Sequence, residues 1–487
     1  MYAKLLQMLK KPENIFLFFC LLGGLLLVFI NPSFQGFDET EHFYKIYGFS
    51  QGTLNYKKIT SYTDGTLLYE KPKTFTAQIV PLSIVQLAAQ SKLLNPYIGP
   101  DRIIHAPQKI SIKNVQELAK IPLNKQYKTI AIHMIPSYTV FSYLPHTFAM
   151  IIMNSFDVPP VFMIFILRLC SLFLYTGLMY IAIKITPVKK NIFLFSAIAP
   201  LSLYIASIIN TDHLVAGVAF ILTAYTLKLK NDYTSDTTKQ ISTKELLIFF
   251  ALIFFLCVCK FAYFPMILLY FAIPKNCFES NKKRVFTFIL IFLACSLWIT
   301  GFVAYTIQIF SGTFSYYCHN ALRAIVSIFQ HPAGFIGCLL KTTAVNSIEY
   351  IQRAVSDFGV SDTNVNPLII WGYFALLIAN SVFGNKNIKD TEYNWDLQNK
   401  IIFAVIIVLV YILALTADYI TFTLDGSGLI AGFKGRYLLP VLPLFLFLFD
   451  NSRLKPLKIN LYTVTMVYSL IFMLCFIFTL INRYYLI

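Results

Sequence analysis

The chain has 487 residues, 57% of them hydrophobic and only 13% charged, with a mean hydropathy of +0.65. A soluble chain of this size would be about a quarter charged, so a soluble globular domain is excluded and a polytopic helical membrane protein remains. The formal net charge of +17 does not point to nucleic acid. The Lys and Arg are scattered through short loops between apolar blocks, a pattern that reports membrane orientation.

The chain opens with MYAKLLQMLKK and an apolar run from Ile15. No small-residue cleavage pattern follows, so this reads as an uncleaved signal anchor. Further apolar blocks lie at 161–183, 191–209, 213–228, 245–258, 261–274, 286–309, 367–384, 401–418, 436–449 and 459–482. Most are long enough for a helix to cross the hydrocarbon core. With 15–31 they predict an all-α polytopic fold of about eleven transmembrane helices. A shorter block, 137–153, is interrupted by Pro145 and His146.

Charge decides how to treat that block. If 137–153 lies along the surface, one face carries twenty Lys and Arg and the other six, once the long first loop is set aside. Letting it cross would move nearly all the later basic loops outside. The expectation is therefore an interfacial helix at 137–153, the N-terminus inside and the C-terminus outside. The outer segments are 31–160, 310–366 and 419–435. The first is too long for a simple connector and should fold as a small cap with juxtamembrane helices. Repeats, low-complexity tracts and an appended soluble domain are not evident. Cysteine spacing shows no metal pattern; Cys318 and Cys338 share a loop and could pair or remain free.

Four stretches carry ionisable residues at the outer edge. In GFDETEHFYKIYGFSQG, a helix over 38–49 puts Asp38, His42 and Lys45 on one face, with Glu39 and Glu41 beside them. The plain alternative is a juxtamembrane helix with Asp38 as N-cap and a Glu41–Lys45 surface pair. Arg168 lies inside an apolar block, where snorkelling would account for it. In ASIINTDHLVAG, Asp212 and His213 occupy a turn between two spans, a setting that favours Asn and Asp anyway. Lys260 and Tyr263 stand in CVCKFAYFPMILLYFAIP between two apolar pieces short for full spans. An ammonium there is a functional candidate. Finally, LDGSGLIAGFKGRYLLPVLPLFLF carries Lys434, Arg436 and Tyr437 among glycines that allow close backbone approach. The planar fork of Arg436 suits a phosphate, and a flexible turn with a snorkelling Arg is the bland reading. Carboxylates beside guanidinium and ammonium groups suit a phosphate-bearing substrate. They could act on a hydroxyl as general base or through a divalent metal (Mg or Mn).

These stretches resemble, in order, the motifs of a bacterial polytopic membrane family, domain of unknown function 2142. Its patterns are Pro-Asp-Glu-x-x-His-Phe-x-Arg, Lys-x-x-Tyr-x-Pro and Gln-Gly-Arg-Tyr-x-x-Pro. Here Phe37 stands for the Pro, Lys45 for the Arg and Lys434 for the Gln. That family is similar to the GT-C superfamily of membrane glycosyltransferases, which use polyprenyl-phosphate donors on the outer face. The resemblance implies a GT-C-like fold, Asp38 as catalytic carboxylate with Glu39 as its partner and His42 nearby. It also implies that Arg436 and Lys260 hold the lipid phosphate. Lys45, Arg168, Asp212, Tyr263, Lys434 and Tyr437 complete the expected substrate site.

The functional expectation is inverting-type sugar transfer from a polyprenyl-phosphate-linked donor to a surface glycan or lipid acceptor, outside the bacterial cytoplasmic membrane. The donor is expected to be lipid-linked because no nucleotide-binding Gly-rich loop is present. The rivals are a flippase or transporter of lipid-linked sugars, which would usually show repeats and midplane charges, and a polysaccharide polymerase or ligase.

Overall fold

The computed structural model describes residues 11–486 apart from 54–56, 64–67, 96, 99–103, 106, 133–137, 311–320, 384–394, 424–427, 452–453 and 455–456. Cys318, and hence any pairing with Cys338, lies outside the described residues, as do Lys4, Lys10, Lys386, Lys389, Arg453 and Lys455 of the basic loops.

Six helices are long and apolar enough to cross a membrane: Pro12–Ile30, Pro160–Ile185, Asp212–Ser235, Asn281–Gln308, Leu397–Phe422 and Leu461–Tyr484. The bent pair Arg323–Gln330 and Pro332–Ser356 makes a seventh if its two arms, at 102°, form one span. The other five predicted blocks are shorter or broken. Block 191–209 splits into Lys190–Ala197 and Pro200–Ala206, because Pro200 cannot continue the helix before it. Thr243–Cys259 is 17 residues and starts from a Ser242/Glu245 capping box. The chain from Phe261 to Ala272 winds as a 3-10 helix around Pro265. Pro367–Phe383 is 17 residues, and 436–449 becomes a 3-10 turn, Gly435–Val441, running into Leu442–Leu448. The segment expected as the loop 310–366 is largely helical, with the 25-residue helix Pro332–Ser356. The block 137–153 forms a short 3-10 turn and the 12-residue helix Leu144–Ser155, short for a crossing.

The first loop departs from the all-α expectation. Strands β1 (Lys57–Thr63), β2 (Leu68–Pro81) and β5 (Tyr127–Ile132) form an antiparallel sheet in the order β1-β2-β5. Strands β3 (Tyr97–Ile98) and β4 (Ile104–His105) form a small second pair. β2 is the central strand, with Ile59 opposite Phe75 on one side and Ala131 opposite Ala77 on the other. Phe75, Ala77 and Val80 are buried. The helix Glu39–Ser50 rests on this strand: Gly48 lies so close to the Gln78 side chain that an added Cβ would come within 2.6 Å of it.

The hydrogen bonds and ion pairs sort the helix ends into two groups. Near Ile30, Asp212, Lys260, Asp357, Arg436 and Tyr485, the chain is tied at one end of the helical body. Tyr485 donates to the Ile30 carbonyl, Tyr263 to that of Tyr437, and Arg436 and Lys260 both reach Asp212. Near Glu13, Lys189, Lys190, Lys400 and Asp450 it is tied at the other. There Lys189 pairs with Asp450 (2.7 Å), Lys190 approaches Glu13 (3.8 Å), and Lys400 donates to the carbonyls of Leu448 and Asp450. The first end gathers the ionisable residues singled out above.

Candidate active site

The site begins where Pro12–Ile30 stops. Arg168 holds that end, donating to the carbonyls of Val28 in the last turn and of Asn31 and Pro32 just beyond it (3.2, 2.6 and 2.8 Å). Its Nε and Nη2 grip Glu39 Oε1 and Oε2 at 2.7 and 2.6 Å. The same carboxylate also accepts from the backbone N–H groups of Ile209 and Gly36. Glu39 and Arg168 are wholly buried, and both Glu39 oxygens are committed twice. The sequence reading has Glu39 as catalytic partner and Arg168 as a substrate ligand; the structure binds the two to each other, away from solvent. The two are a structural clamp that fixes the turn ahead of Glu39–Ser50.

Asp38 sits on that turn in the left-handed region, at φ 51° and ψ 20°, a conformation that costs a non-glycine residue roughly 1–2 kcal/mol. It occupies the N-cap position but makes no side-chain cap bond, so the simple capping role is set aside. Its side chain is 52% exposed, whereas Glu39 beside it is buried. The strained turn thus holds one carboxylate outward among buried neighbours, as active sites often do.

Facing Asp38 is Arg436. Its Nη2 lies 3.5 Å from Asp38 Oδ2, its Nε donates to Asp212 Oδ2 at 2.9 Å, and its Nη1 lies 3.6 Å from Asp357 Oδ2. The guanidinium also stacks 4.0 Å from the centre of the Phe37 ring, so the residue that replaces the family's Pro provides its floor. Arg436 reaches this position because Gly435 packs on the last turn of Pro332–Ser356. A Cβ there would meet the Tyr350 and Arg353 backbone at 2.5 Å. Lys260 completes the network: its ammonium is 3.2 Å from Asp212 Oδ1 and 3.9 Å from the centre of the Tyr437 ring. Tyr263 supports that ring's backbone from below.

Lys45 and His42 line the wall behind Asp38. Lys45 is buried, with its ammonium 4.9 Å from the centre of the Tyr138 ring; burial pushes it down to about 8. His42 Nδ1 is 2.5 Å from the Tyr143 hydroxyl. Burial, with the Lys45 charge second, holds its imidazole well below the usual value, so it is neutral near pH 7 and reaches no carboxylate among the described residues. That places His42 behind the chemistry expected of it. Lys434 lies at the rim, donating to Ser361 Oγ at 3.2 Å.

Asp38, Asp212, Lys260, Tyr263, Lys434, Arg436 and Tyr437 are thus brought together, with Lys45 and His42 adjoining. The sequence reading missed Asp357, which the Arg436 and Arg353 guanidinium groups flank, and Tyr138, whose ring faces the Lys45 ammonium. It also missed Asp418, buried with one oxygen lacking a hydrogen-bond partner among the described residues. Asp418 closes an apolar block and Asp357 falls in the segment read as an outer loop, and only their place at the common end marks them. No group of three or more His, Cys, Asp or Glu is arranged to hold a metal ion among the described residues; a guanidinium stands where the three aspartates converge.

Fold and composition define a polytopic helical membrane protein. A family model described as "predicted membrane protein (DUF2142)" matches residues 20–445, and the chain belongs to that family. No curated protein and no solved structure matches it.

Proposed function

We propose that this protein is a membrane glycosyltransferase of GT-C type, moving a sugar from a polyprenyl-phosphate-linked donor to a surface glycan or lipid acceptor. The observation that carries the reading is Asp38: a half-exposed carboxylate on a strained turn, directed at an otherwise buried Arg436. In the reaction, Asp38 takes the proton of the acceptor hydroxyl as that oxygen bonds to the sugar's anomeric carbon. The bond from that carbon to the phosphate breaks, and the phosphate leaves with the electron pair. Its charge needs cationic stabilisation more than a general acid. Lys434 at the rim and Lys260 supply it, with the Nη1 edge of Arg436. The remaining edges of Arg436 hold Asp38 and Asp212, so this residue orients the base as well as facing the phosphate, a narrower role than phosphate binding alone.

We place the site on the outer face of a bacterial cytoplasmic membrane, with the N-terminus inside and eleven crossings, five of them short or broken. The clustering of Lys189, Lys190 and Lys400 at the opposite end of the body supports that orientation. The cap over 57–132 would then stand outside, above the site. The reading is tested by comparing transfer from a polyprenyl-phosphate sugar in membranes carrying the parent and Asp38→Asn. Retained transport of lipid-linked sugar without transfer would favour a flippase instead.

A further inference from the structure

A second polar feature lies outside the aspartate cluster. His146, from the helix Leu144–Ser155, and His213, from the first turn of Asp212–Ser235, are completely buried with ring centres 5.6 Å apart and planes tilted by 57°. Their tautomers follow from their neighbours. His146 Nε2 is 2.8 Å from Ser171 Oγ, and that hydroxyl already donates to the Leu167 carbonyl. Nε2 must carry the hydrogen, which leaves a lone pair on Nδ1. His213 Nδ1 is 3.4 Å from Asn210 Oδ1, while the Asn210 amide nitrogen is committed to the carbonyls of Ile205 and Ile208. Nδ1 is therefore the donor, and the lone pair falls on Nε2.

The two remaining nitrogens, His146 Nδ1 and His213 Nε2, have no hydrogen-bond partner among the described residues, and neither has the buried Thr211 Oγ1. Both nitrogens are acceptors, so they cannot satisfy each other. Leaving a buried acceptor unmet costs about 1–3 kcal/mol. A histidine whose far N–H is fixed by an oxygen while its other nitrogen offers a lone pair has the arrangement of a metal ligand. Metal–nitrogen distances of about 2 Å let two imidazoles at this separation share one ion at a bent angle.

We propose that His146 and His213 form a site for one soft monovalent cation, Cu(I). The charge follows from the ligands. Both imidazoles are neutral, and the adjacent Asp212 is already engaged by Lys260 and Arg436. A buried dication would lack compensation, whereas imidazole suits copper. No further His, Cys, Asp or Glu joins the pair among the described residues. The inference is independent of sugar transfer.

The full chain, purified in detergent from copper-supplemented cells, should carry about one copper per molecule by mass spectrometry. It should bind Ag(I), a stand-in for Cu(I), with the same stoichiometry. His146→Gln and His213→Gln should each lower Ag(I) affinity at least tenfold. A Cu(I) chelator should lower the Tm of the parent and leave the histidine variants unmoved. A parent that binds neither ion, or one whose binding survives both histidine substitutions, overturns the proposal and leaves a bridging water only. If both histidine variants fail to fold, copper content and the chelator response of the parent still decide.

Discussion

Arg168 and Glu39, 129 residues apart, meet in a two-toothed ion pair of 2.7 and 2.6 Å with neither side chain exposed. Breaking one half of such a pair leaves an uncompensated buried charge and costs about 3–5 kcal/mol. Glu39→Gln and Arg168→Met should each lower thermal stability and membrane levels sharply. Normal levels and an unchanged Tm, with loss of transfer alone, would return Glu39 to the catalytic group.

Asp38 should behave in the opposite way. Its left-handed backbone suits glycine, so Asp38→Gly relieves roughly 1 kcal/mol of strain and should hold or raise the Tm while ending transfer. A clear loss of stability in this variant would mean that the carboxylate supports the fold through Arg436.

Replacing Arg436 with Lys keeps the charge and loses the fork that reaches Asp212 and Asp38 together. Transfer should fall at least tenfold. Asp212→Asn should show a comparable loss, because it removes the same contact from the other side. Parent-like turnover in Arg436→Lys would reduce the three-aspartate contact to structural decoration.

Lys45 gives a pH signature. Burial lowers its folded value from the usual 10.5 to about 8, so the unfolded chain binds the proton more readily between these limits. Stability should rise as pH climbs from about 8 to 10.5 and be lowest, on this account, below pH 8. Lys45→Met should flatten that rise and raise stability at pH 7 by roughly 1–3 kcal/mol. An unchanged slope in denaturation curves across this range would show that Lys45 does not titrate there.

Topology is open to a direct check with introduced thiols at Thr60, on exposed β1, and Ser235, at the exposed end of Asp212–Ser235. An impermeant reagent should label Thr60→Cys in intact cells and spare Ser235→Cys. The reverse pattern would put the aspartate cluster on the cytoplasmic side.

Much of the helical body was legible, because apolar length is a strong signal: the six helices long and apolar enough to cross a membrane each coincide with a predicted block. The broken elements were not, since Pro200, Pro265 and Pro440 interrupt runs that stay uniformly apolar. The sheet escaped because its alternation, as in KTFTAQIVP, is brief and set in a mixed polar loop. At the site, parity alone gathered Asp38, Asp212, Lys260 and Arg436. Sequence could not separate Asp38 from Glu39, neighbours of the same charge. Only the fold turns one outward and clamps the other to Arg168.

The central claim rests on the chemistry of Asp38, and the most direct measurement is the fate of the lipid-linked donor. In cells whose only copy is Asp38→Asn, present at parental levels, a polyprenyl-phosphate sugar should accumulate in the membrane while a surface glycan or lipid lacks that sugar. Parental donor levels and a complete cell surface in that strain would contradict the account.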